Sequence, residues 1–254
     1  MTVDLFFRRE GSGPTVVVLH GLYGSSDNFG SIGRTLSAQY DMLLVDARDH
    51  GRSPHTGRIT YALMAEDVHA LFTRLGLQDV VLVGHSMGGK TAMAFAQRWP
   101  GLLKHLVVID IGPRAYAIGE HAQIVEALAT SDLPNKTSRQ EVEAHLARTI
   151  SGPGVLQFLM KSLYWAGPGI LAWRFNVPVL QRDMGDITGA IGHAVVEVPT
   201  LFIRGGRSEY VTREDLPQIK EQFPHSRVET IPFAGHWVHA QAPEEVMDFI
   251  RSVA

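Results

Sequence analysis

The chain has no cysteine, no strongly basic segment and no long apolar run. Without cysteine it can form no disulfide, bind no metal through thiolates and use no thiol as a nucleophile. No stretch is long enough to cross a bilayer and no leader-like segment opens the chain, so we expect a cytoplasmic protein without a membrane partner. A net charge of −3 supplies no basic field, and nucleic acid is therefore not an expected partner.

Short apolar runs alternate with helical patterns in the first half of the sequence. Continuous apolar runs of this length are typical of parallel strands that are buried on both faces. These predicted strands are Thr15–Leu19, Met42–Val45, Val80–Val83 and Leu106–Ile109. Predicted helices lie between them, at Phe29–Ala38, Tyr61–Leu75 and Lys90–Arg98. The alternation predicts right-handed βαβ units and therefore an α/β fold with a doubly wound, mostly parallel sheet.

The alternation is interrupted from Pro113 to about Val198, where no buried strand is predicted. Helices are expected there at His121–Thr130, Ser138–Ile150 and Val155–Trp165. The pattern resumes with strands at Thr200–Ile203 and Val228–Ile231 and helices at Arg213–Phe223 and Pro243–Ser252. We therefore predict an α/β core formed by residues 1–112 and 199–254, with a helical insert at 113–198.

The segment Gly84-His85-Ser86-Met87-Gly88 matches the G-x-S-x-G pattern, directly after a predicted strand and before a helix. A serine hydroxyl is a poor nucleophile and must be held clear of the backbone, close to a base. A sharp strand-to-helix turn achieves this, and glycines on both sides remove the Cβ atoms that would clash. Ser86 is therefore the candidate nucleophile.

The same window also fits a competing pattern. Gly84–Thr91 reads GHSMGGKT and satisfies G-x-x-x-x-G-K-[ST], the phosphate-binding loop of nucleoside triphosphatases. The strand–loop–helix context suits either interpretation, so the window alone does not separate them.

Distant segments favour the hydrolase. His20-Gly21-Leu22 follows the first buried strand, where an H-G segment supplies a backbone N–H to an oxyanion hole. The expected donors are the N–H groups of Leu22 and Met87. Gly235-His236 follows the last predicted strand, which is where this fold carries its base. We predict His236 as the base, and His239 as a packing residue because no further metal ligands accompany the pair.

The acid is less obvious, because Ser208 occupies the usual position after the strand at Thr200–Ile203. Glu209 is its neighbour, but an offset of one residue would point its side chain away. Asp110 ends the adjacent strand and can still reach the histidine, since neighbouring strands lie about 4.8 Å apart. We predict Asp110 as the acid. Ser208 and His20 are expected to support the site by hydrogen bonds, Ser208 to Asp110 and His20 to loop backbone.

Trp237, beside the predicted base, and two aromatic residues of the insert, Phe158 and Phe175, are candidates for lining a substrate pocket. The charged segment Asp46–Ser53 is interpreted as a loop held by internal ion pairs and turns, without a catalytic role.

Several segments together resemble one family, the YbfF-type esterases of the α/β-hydrolase superfamily. They are HGLYGSSDNF, DARDHGRSP, GHSMGGKTAM, VVIDIGP, FLMKSLYW, WRFNVPVL, LFIRGG with the following Ser208, Tyr210 and Val211, and AGHWVHA. The resemblance runs from about Leu5 to Phe249. It implies a serine esterase that acts on small acyl esters and sometimes on acyl-thioesters, an acid after the sixth strand that matches Asp110, and an insert that forms a cap.

The predicted activity is thus that of a serine carboxylesterase working through an acyl-enzyme, without cofactor or metal, on a small-molecule ester. Two alternatives stay open. A cofactor-free lyase or a hydrolase of carbon–carbon bonds can use the same three side chains, because the fold does not determine the reaction. The nucleoside triphosphatase is the less favoured alternative. The sequence predicts no oligomeric state.

Overall fold

A computed structural model describes residues 1–254. Its centre is a seven-stranded sheet. The strands are β1 (Phe7–Glu10), β2 (Thr15–Leu19), β3 (Asp41–Val45), β4 (Val80–His85), β5 (Leu103–Ile109), β8 (Thr200–Gly205) and β9 (Ser226–Ile231). Their order in the sheet is β1-β3-β2-β4-β5-β8-β9, and every neighbouring pair is parallel except β1 and β3. The prediction of a doubly wound, mostly parallel sheet is confirmed.

Alternating side chains of the strands pack into two hydrophobic layers, one on each face of the sheet. On β2, Val17 and Leu19 lie in the larger layer, while Val16 and Val18 lie in the smaller one. This is the period-2 alternation of a strand whose two faces are both covered. The apolar runs of the sequence follow from it, since a strand buried on both faces has no polar side.

Helices cover both faces. The helices of the core are α1 (Gly30–Leu36), α2 (Tyr61–Leu75), α3 (Met87–Arg98), α9 (Leu216–Gln222), α10 (Val238–Gln241) and α11 (Pro243–Arg251). Helix α2 begins where the sequence predicts, because the Thr60 side chain accepts a hydrogen bond from the Leu63 N–H. It ends at Gly76, which adopts the left-handed φ of 64° that terminates many helices. No helix in the structure is long and apolar enough to span a membrane.

Strand β1 has no counterpart among the predicted strands. Its residues FRRE lack an apolar run because β1 lies at the edge of the sheet, antiparallel to β3 and half exposed. The strand that precedes the insert, β5, is the fifth in this chain rather than the sixth that the resemblance implied. The residue concerned, Asp110, is the same.

The insert contains five helices and a two-stranded hairpin. The helices are α4 (Gly119–Ala129), α5 (Arg139–Leu146), α6 (Pro153–Lys161), α7 (Val177–Arg182) and α8 (Met184–Thr188), and the hairpin strands are β6 (Leu163–Gly167) and β7 (Ile170–Trp173). The expectation that a helix continues to Trp165 is wrong. The Arg139 guanidinium binds the carbonyl oxygens of Met160 and Leu163 at the end of α6, and Gly169 at φ 71° allows the tight turn between the hairpin strands.

The two ends of the insert are joined to each other and to helix α3. The Tyr116 N–H donates to the Thr188 carbonyl, and the Ile191 N–H donates to that of Pro113. The buried ammonium group of Lys90 donates to the carbonyl oxygens of Arg114, at 2.7 Å, and of Gly189. We refer to the contact of Lys90 with Arg114 and Gly189 as the neck of the insert.

Candidate active site

Ser86 is the single residue between strand β4 and helix α3. Its φ of 52° is rare for a residue with a side chain, and the turn depends on glycines nearby. A Cβ on Gly84 would overlap the Gly88 carbonyl, and a Cβ on Gly88 would overlap the carbonyl oxygens of Leu19 and His20. The backbone therefore approaches itself closely on both sides of Ser86, as the G-x-S-x-G pattern predicts.

The phosphate-loop interpretation of Gly84–Thr91 is wrong. Since α3 begins at Met87, immediately after Ser86, no loop is present that could wrap around a phosphate. Lys90 is buried and bound to the neck carbonyls, and the Thr91 hydroxyl donates to the Met87 carbonyl at 2.9 Å. Neither side chain is free for a nucleotide or a magnesium ion.

Ser86, His236 and Asp110 form a continuous hydrogen-bonded chain. The Nε2 atom of His236 lies 3.1 Å from Ser86 Oγ, and its Nδ1 atom lies 2.8 Å from Asp110 Oδ2. These three residues come from the ends of β4, β5 and the segment after β9, which meet at one edge of the sheet because the strands are parallel. Residues far apart in the sequence are thereby brought within reach of one proton-transfer path.

The structure brings Asp110, and not Glu209, to the histidine. Asp110 is fully buried, with φ of 51°, and its Oδ1 atom accepts the Gly205 N–H at 2.9 Å. Its Oδ2 atom is shared between His236 and the hydroxyl of Ser208. The Glu209 side chain is exposed. Three donors around this buried carboxylate hold it in one orientation.

Leu22 and Met87, the two residues expected to supply backbone N–H groups, both adjoin Ser86: Leu22 lines the same cavities, and Met87 follows Ser86 in the chain. Leu22 belongs to the loop after β2, and its N–H has no hydrogen-bond partner within the protein. Met87 is the first residue of α3, where N–H groups have no partner within the helix. The neighbouring Tyr23 has a φ of 62°, which is unusual for a bulky residue and indicates backbone strain next to the Leu22 N–H.

The side chain of His20 forms two hydrogen bonds with backbone groups of this loop and of the segment after β3. Its Nε2 atom accepts the Ala47 N–H at 3.0 Å, and its Nδ1–H donates to the Gly21 carbonyl at 2.8 Å. Burial lowers the pKa of His20, so the neutral form that can both donate and accept is favoured. The expected hydrogen bonding of His20 to loop backbone is what the structure contains.

Two further histidines pack around His236. His85 Nε2 lies 2.9 Å from the His236 carbonyl, and His239 stacks on Phe29 with ring centroids 4.5 Å apart. Burial lowers the pKa of His85 well below its ordinary value and that of His239 to about 3. Both rings are therefore neutral near pH 7 and add no positive charge beside His236.

A cavity of about 180 Å³ opens on Ser86 and His236, and we call it the outer chamber. Apolar side chains of the insert and the core line it, among them Ile124, Val155, Phe158, Leu159 and Trp237. The rings of Phe158 and Trp237, both in its wall, pack against each other with centroids 5.7 Å apart. Both residues occupy the place expected of them.

Phe175 does not line this chamber, so its assignment to the substrate pocket is wrong. It is 2% exposed, stacks on Trp173 and packs against Tyr23, with centroid distances of 5.3 Å in both cases. Its ring belongs to the interior of the insert. A spacing of aromatic residues along the sequence does not distinguish the inner side of an insert from the side that faces a cavity.

Tyr210 was missed by the sequence analysis. Its ring stacks on the imidazole of His236 at a centroid distance of 3.8 Å, and its hydroxyl lies 3.0 Å from Nε2 of His121 in the insert. A bond from the Tyr116 hydroxyl to the Tyr210 carbonyl holds the backbone there. Tyr210 lies in one of the segments that resemble the esterase family, two residues after Ser208, but the sequence alone assigns it no role.

The segment Asp46–Ser53 does not line either cavity that contains Ser86, and it is held by hydrogen bonds and an ion pair. The Asp46 carboxylate accepts the N–H groups of Ser26 and Arg52 at 2.6 and 2.8 Å. Arg48 forms a buried ion pair with Asp67 of α2, at 2.6 Å, so this pair reaches outside the loop rather than staying within it. These contacts give the segment a structural role.

The chain is similar to known hydrolases along its length. A family model described as alpha/beta hydrolase fold matches residues 14–151. The sn-1-specific diacylglycerol lipase ABHD11 of Mus musculus is 38% identical over 247 residues, which cover 94% of this chain and 80% of that protein. Esterase YbfF of Escherichia coli is 36% identical over 236 residues, covering 93% of this chain and 91% of that protein. A solved structure of a marine microorganism esterase superimposes with a TM-score of 0.96 at 39% identity, and 100% of both chains is covered.

Proposed function

Because the chain belongs to the α/β-hydrolase fold family and is similar to esterase YbfF, we propose that it is a serine carboxylesterase acting on small acyl esters. In this proposal Ser86 is the nucleophile, His236 the base and Asp110 the residue that orients the imidazole. The N–H groups of Leu22 and Met87 form the oxyanion hole. The names of the relatives, an esterase and a lipase, support hydrolysis of an ester.

The reaction follows from the positions of these groups. His236 Nε2 takes the proton of Ser86 Oγ as this oxygen bonds to the ester carbonyl carbon. The carbonyl oxygen becomes negatively charged and is stabilised by the two N–H groups, each of which contributes about 3 kcal/mol in comparable enzymes. The imidazolium then gives its proton to the departing alcohol oxygen. Water, deprotonated by His236, attacks the acyl-Ser86 ester and restores the enzyme.

The observation that carries the proposal is the chain of hydrogen bonds from Ser86 through His236 to Asp110, at 3.1 and 2.8 Å, next to an unpaired backbone N–H at Leu22. The neutral state of the packed histidines fits it, because a base that must gain a proton is disfavoured by nearby positive charge. Acyl-thioesters are accepted by the same steps, with a thiolate as the leaving group.

A fluorophosphonate probe with intact protein mass spectrometry tests the nucleophile. We expect one adduct per chain in the wild-type protein, mapped to Ser86, and none in Ser86→Ala. Turnover of p-nitrophenyl acetate should fall about 10⁶-fold in this variant, as when the nucleophile of a serine protease is removed. Labelling at another residue, or undiminished turnover in Ser86→Ala, would refute the proposal.

Lyases and hydrolases of carbon–carbon bonds are separated from an esterase by substrate, because they would also react with the probe. We expect hydrolysis of simple p-nitrophenyl and acyl-thioester substrates, with release of the carboxylic acid. Labelling of Ser86 without hydrolysis of any such ester would favour those alternatives. A cytoplasmic location and a small-molecule ester as the partner stay parts of this proposal.

A further inference from the structure

Two cavities open on Ser86. The outer chamber, of about 180 Å³, is lined by His236, Trp237 and side chains of the insert. A second cavity, of about 30 Å³, has Ser86 in its wall but not His236, and we call it the inner chamber. Met87, Ile111 and Ile187 form its apolar walls, and the two chambers have Ser86, Leu22, His121 and Tyr210 in common.

The proposed chemistry assigns different parts of an ester to the two chambers. In the tetrahedral intermediate the oxyanion faces the N–H groups of Leu22 and Met87. The leaving oxygen must face His236 Nε2, because it receives its proton from there. The alcohol therefore extends into the outer chamber, which His236 lines. The acyl chain is the remaining substituent on the carbon and must leave in another direction, and the inner chamber adjoins Ser86 without touching His236.

The inner chamber is small and its walls are fixed. Its volume corresponds to about two or three non-hydrogen atoms, given that one water needs roughly 10–15 Å³ by the same measure. Ile187, which closes it from the side of the insert, is 5% exposed, and its carbonyl accepts a hydrogen bond from the Tyr61 hydroxyl. The neck holds the adjoining segment, since Lys90 donates to the Gly189 carbonyl. A shift of this backbone segment that widened the chamber would break these buried contacts.

Most polar groups at its wall are already engaged, the exception being the buried Nδ1 atom of His121, which has no hydrogen-bond partner. The Tyr61 hydroxyl donates to Ile187, the Tyr116 hydroxyl to Tyr210, and the Lys90 ammonium to Arg114 and Gly189. What these residues offer to a ligand is consequently ring faces and methylene groups. An apolar group of matching size is suited to such a space, and a longer chain would press on the side chains that line it.

We propose, on the basis of the function proposed above, that the inner chamber is the acyl subsite, that it admits acyl groups of two or three carbons, and that Ile187 sets this limit. The outer chamber takes the alcohol and tolerates a much larger group. The enzyme thus selects a short acyl group on a bulky, largely apolar alcohol. One methylene too many in a fitted apolar site costs on the order of 10- to 200-fold in specificity.

The test measures kcat/KM on p-nitrophenyl esters that differ only in the acyl group, from acetate to octanoate. We expect the highest values for acetate and propionate and a drop of at least about tenfold on going to hexanoate. Ile187→Ala should move the optimum to longer chains and raise the hexanoate-to-acetate ratio by about tenfold or more. Ile187→Val, which removes one methyl group and is easier for the fold to accept, should shift the ratio in the same direction by less.

Val155→Ala is the matched control, because it shortens a β-branched side chain in the outer chamber alone. It should leave the acyl-length profile unchanged and alter the ranking of acetate esters of different alcohols. If Val155→Ala changes the acyl profile and the Ile187 variants do not, the assignment of the two chambers is reversed and the inference is overturned. A profile that favours hexanoate or octanoate in the wild-type protein overturns it as well, while fluorophosphonate labelling of Ser86 would show that the proposed function still stands. Absence of both labelling and hydrolysis would refute the proposed function and this inference together.

Discussion

Asp110→Asn is the substitution whose consequences can be worked out most fully from the structure. It replaces one carboxylate oxygen by an amide nitrogen with almost no change in volume. Position 110 has a φ of 51°, and asparagine is among the residues that accept this left-handed conformation best. We therefore expect the backbone and the fold to persist.

The orientation of the new amide is determined by its neighbours. The Gly205 N–H, 2.9 Å from Oδ1, needs an acceptor, so the amide oxygen stays on that side. The amide nitrogen then faces His236 Nδ1, which lies 2.8 Å from Oδ2 in the wild-type protein. Two donors cannot face each other, so Nδ1 must lose its hydrogen and the imidazole must carry it on Nε2. That atom faces Ser86 Oγ at 3.1 Å and can no longer accept a proton from it.

The expected loss in kcat is about 10⁴-fold, the size of the tautomer effect measured for the equivalent change in a serine protease. It corresponds to about 5 kcal/mol of transition-state stabilisation. Steady-state hydrolysis of p-nitrophenyl acetate measures it, with circular dichroism and thermal unfolding to check the fold. Glu209→Gln is the control, because this exposed neighbour of Ser208 should change kcat by less than about twofold. A folded Asp110→Asn enzyme within tenfold of the wild-type rate, or a larger loss in Glu209→Gln, would refute the assignment of the acid.

Three further predictions concern the packing and the buried charge around the site. Phe175→Ala should lower the free energy of unfolding by about 3–5 kcal/mol in chemical denaturation, because its ring is buried, while kcat/KM per folded enzyme changes little. Phe158→Ala, in the outer chamber, should change kcat/KM and leave the free energy of unfolding nearly unaltered. A large effect of Phe175→Ala on KM would contradict the placement of Phe175. Gly88→Ala should reduce kcat by at least about 100-fold, because its Cβ would displace the carbonyl groups of Leu19 and His20, which precede the Leu22 N–H in the chain. Gly185→Ala is the neutral control, because the space around Gly185 is open. Equal values of kcat in the two variants would argue against the close backbone approach at Gly88. Burial lowers the pKa of Lys90 from 10.5 to about 7. Between pH 7 and pH 10.5 the unfolded chain therefore binds a proton that the folded chain lacks. The free energy of unfolding of the wild-type protein should rise with pH in this range, relative to that of Lys90→Met. Denaturation at pH 7 and pH 9.5 checks it, and a difference between the two proteins that does not grow with pH would show that the ammonium at the neck keeps its ordinary pKa.

The agreement between sequence and structure is closest where local pattern decides conformation. The apolar runs of β2 to β5 are strands at the expected places because a strand buried on both faces leaves a simple signature. Helix α2 has the predicted bounds because Thr60 and Gly76 are efficient helix termini. The hairpin at β6 and β7 was not anticipated, because FLMKSLYW is apolar at a spacing that also suits a helix, and contacts from Arg139 end the helix early.

The site divides in the same way. The sequence by itself determined the turn at Ser86, the loop at Leu22 and the loop at His236, because each depends on glycines and on its place after a strand. It also restricted the candidates for the acid to Asp110 and Glu209, each of which follows a strand at the same edge of the sheet. The tertiary structure decided that Asp110 meets His236, through the parallel register of β5 and β8, in which Ile109 pairs with Ile203. It also decided that Tyr210 stacks on the imidazole, that Phe175 faces inward and that two unequal chambers flank the serine. These features depend on which side chains meet across the insert and the core, and the periodicity of a single segment carries no information about its distant partners.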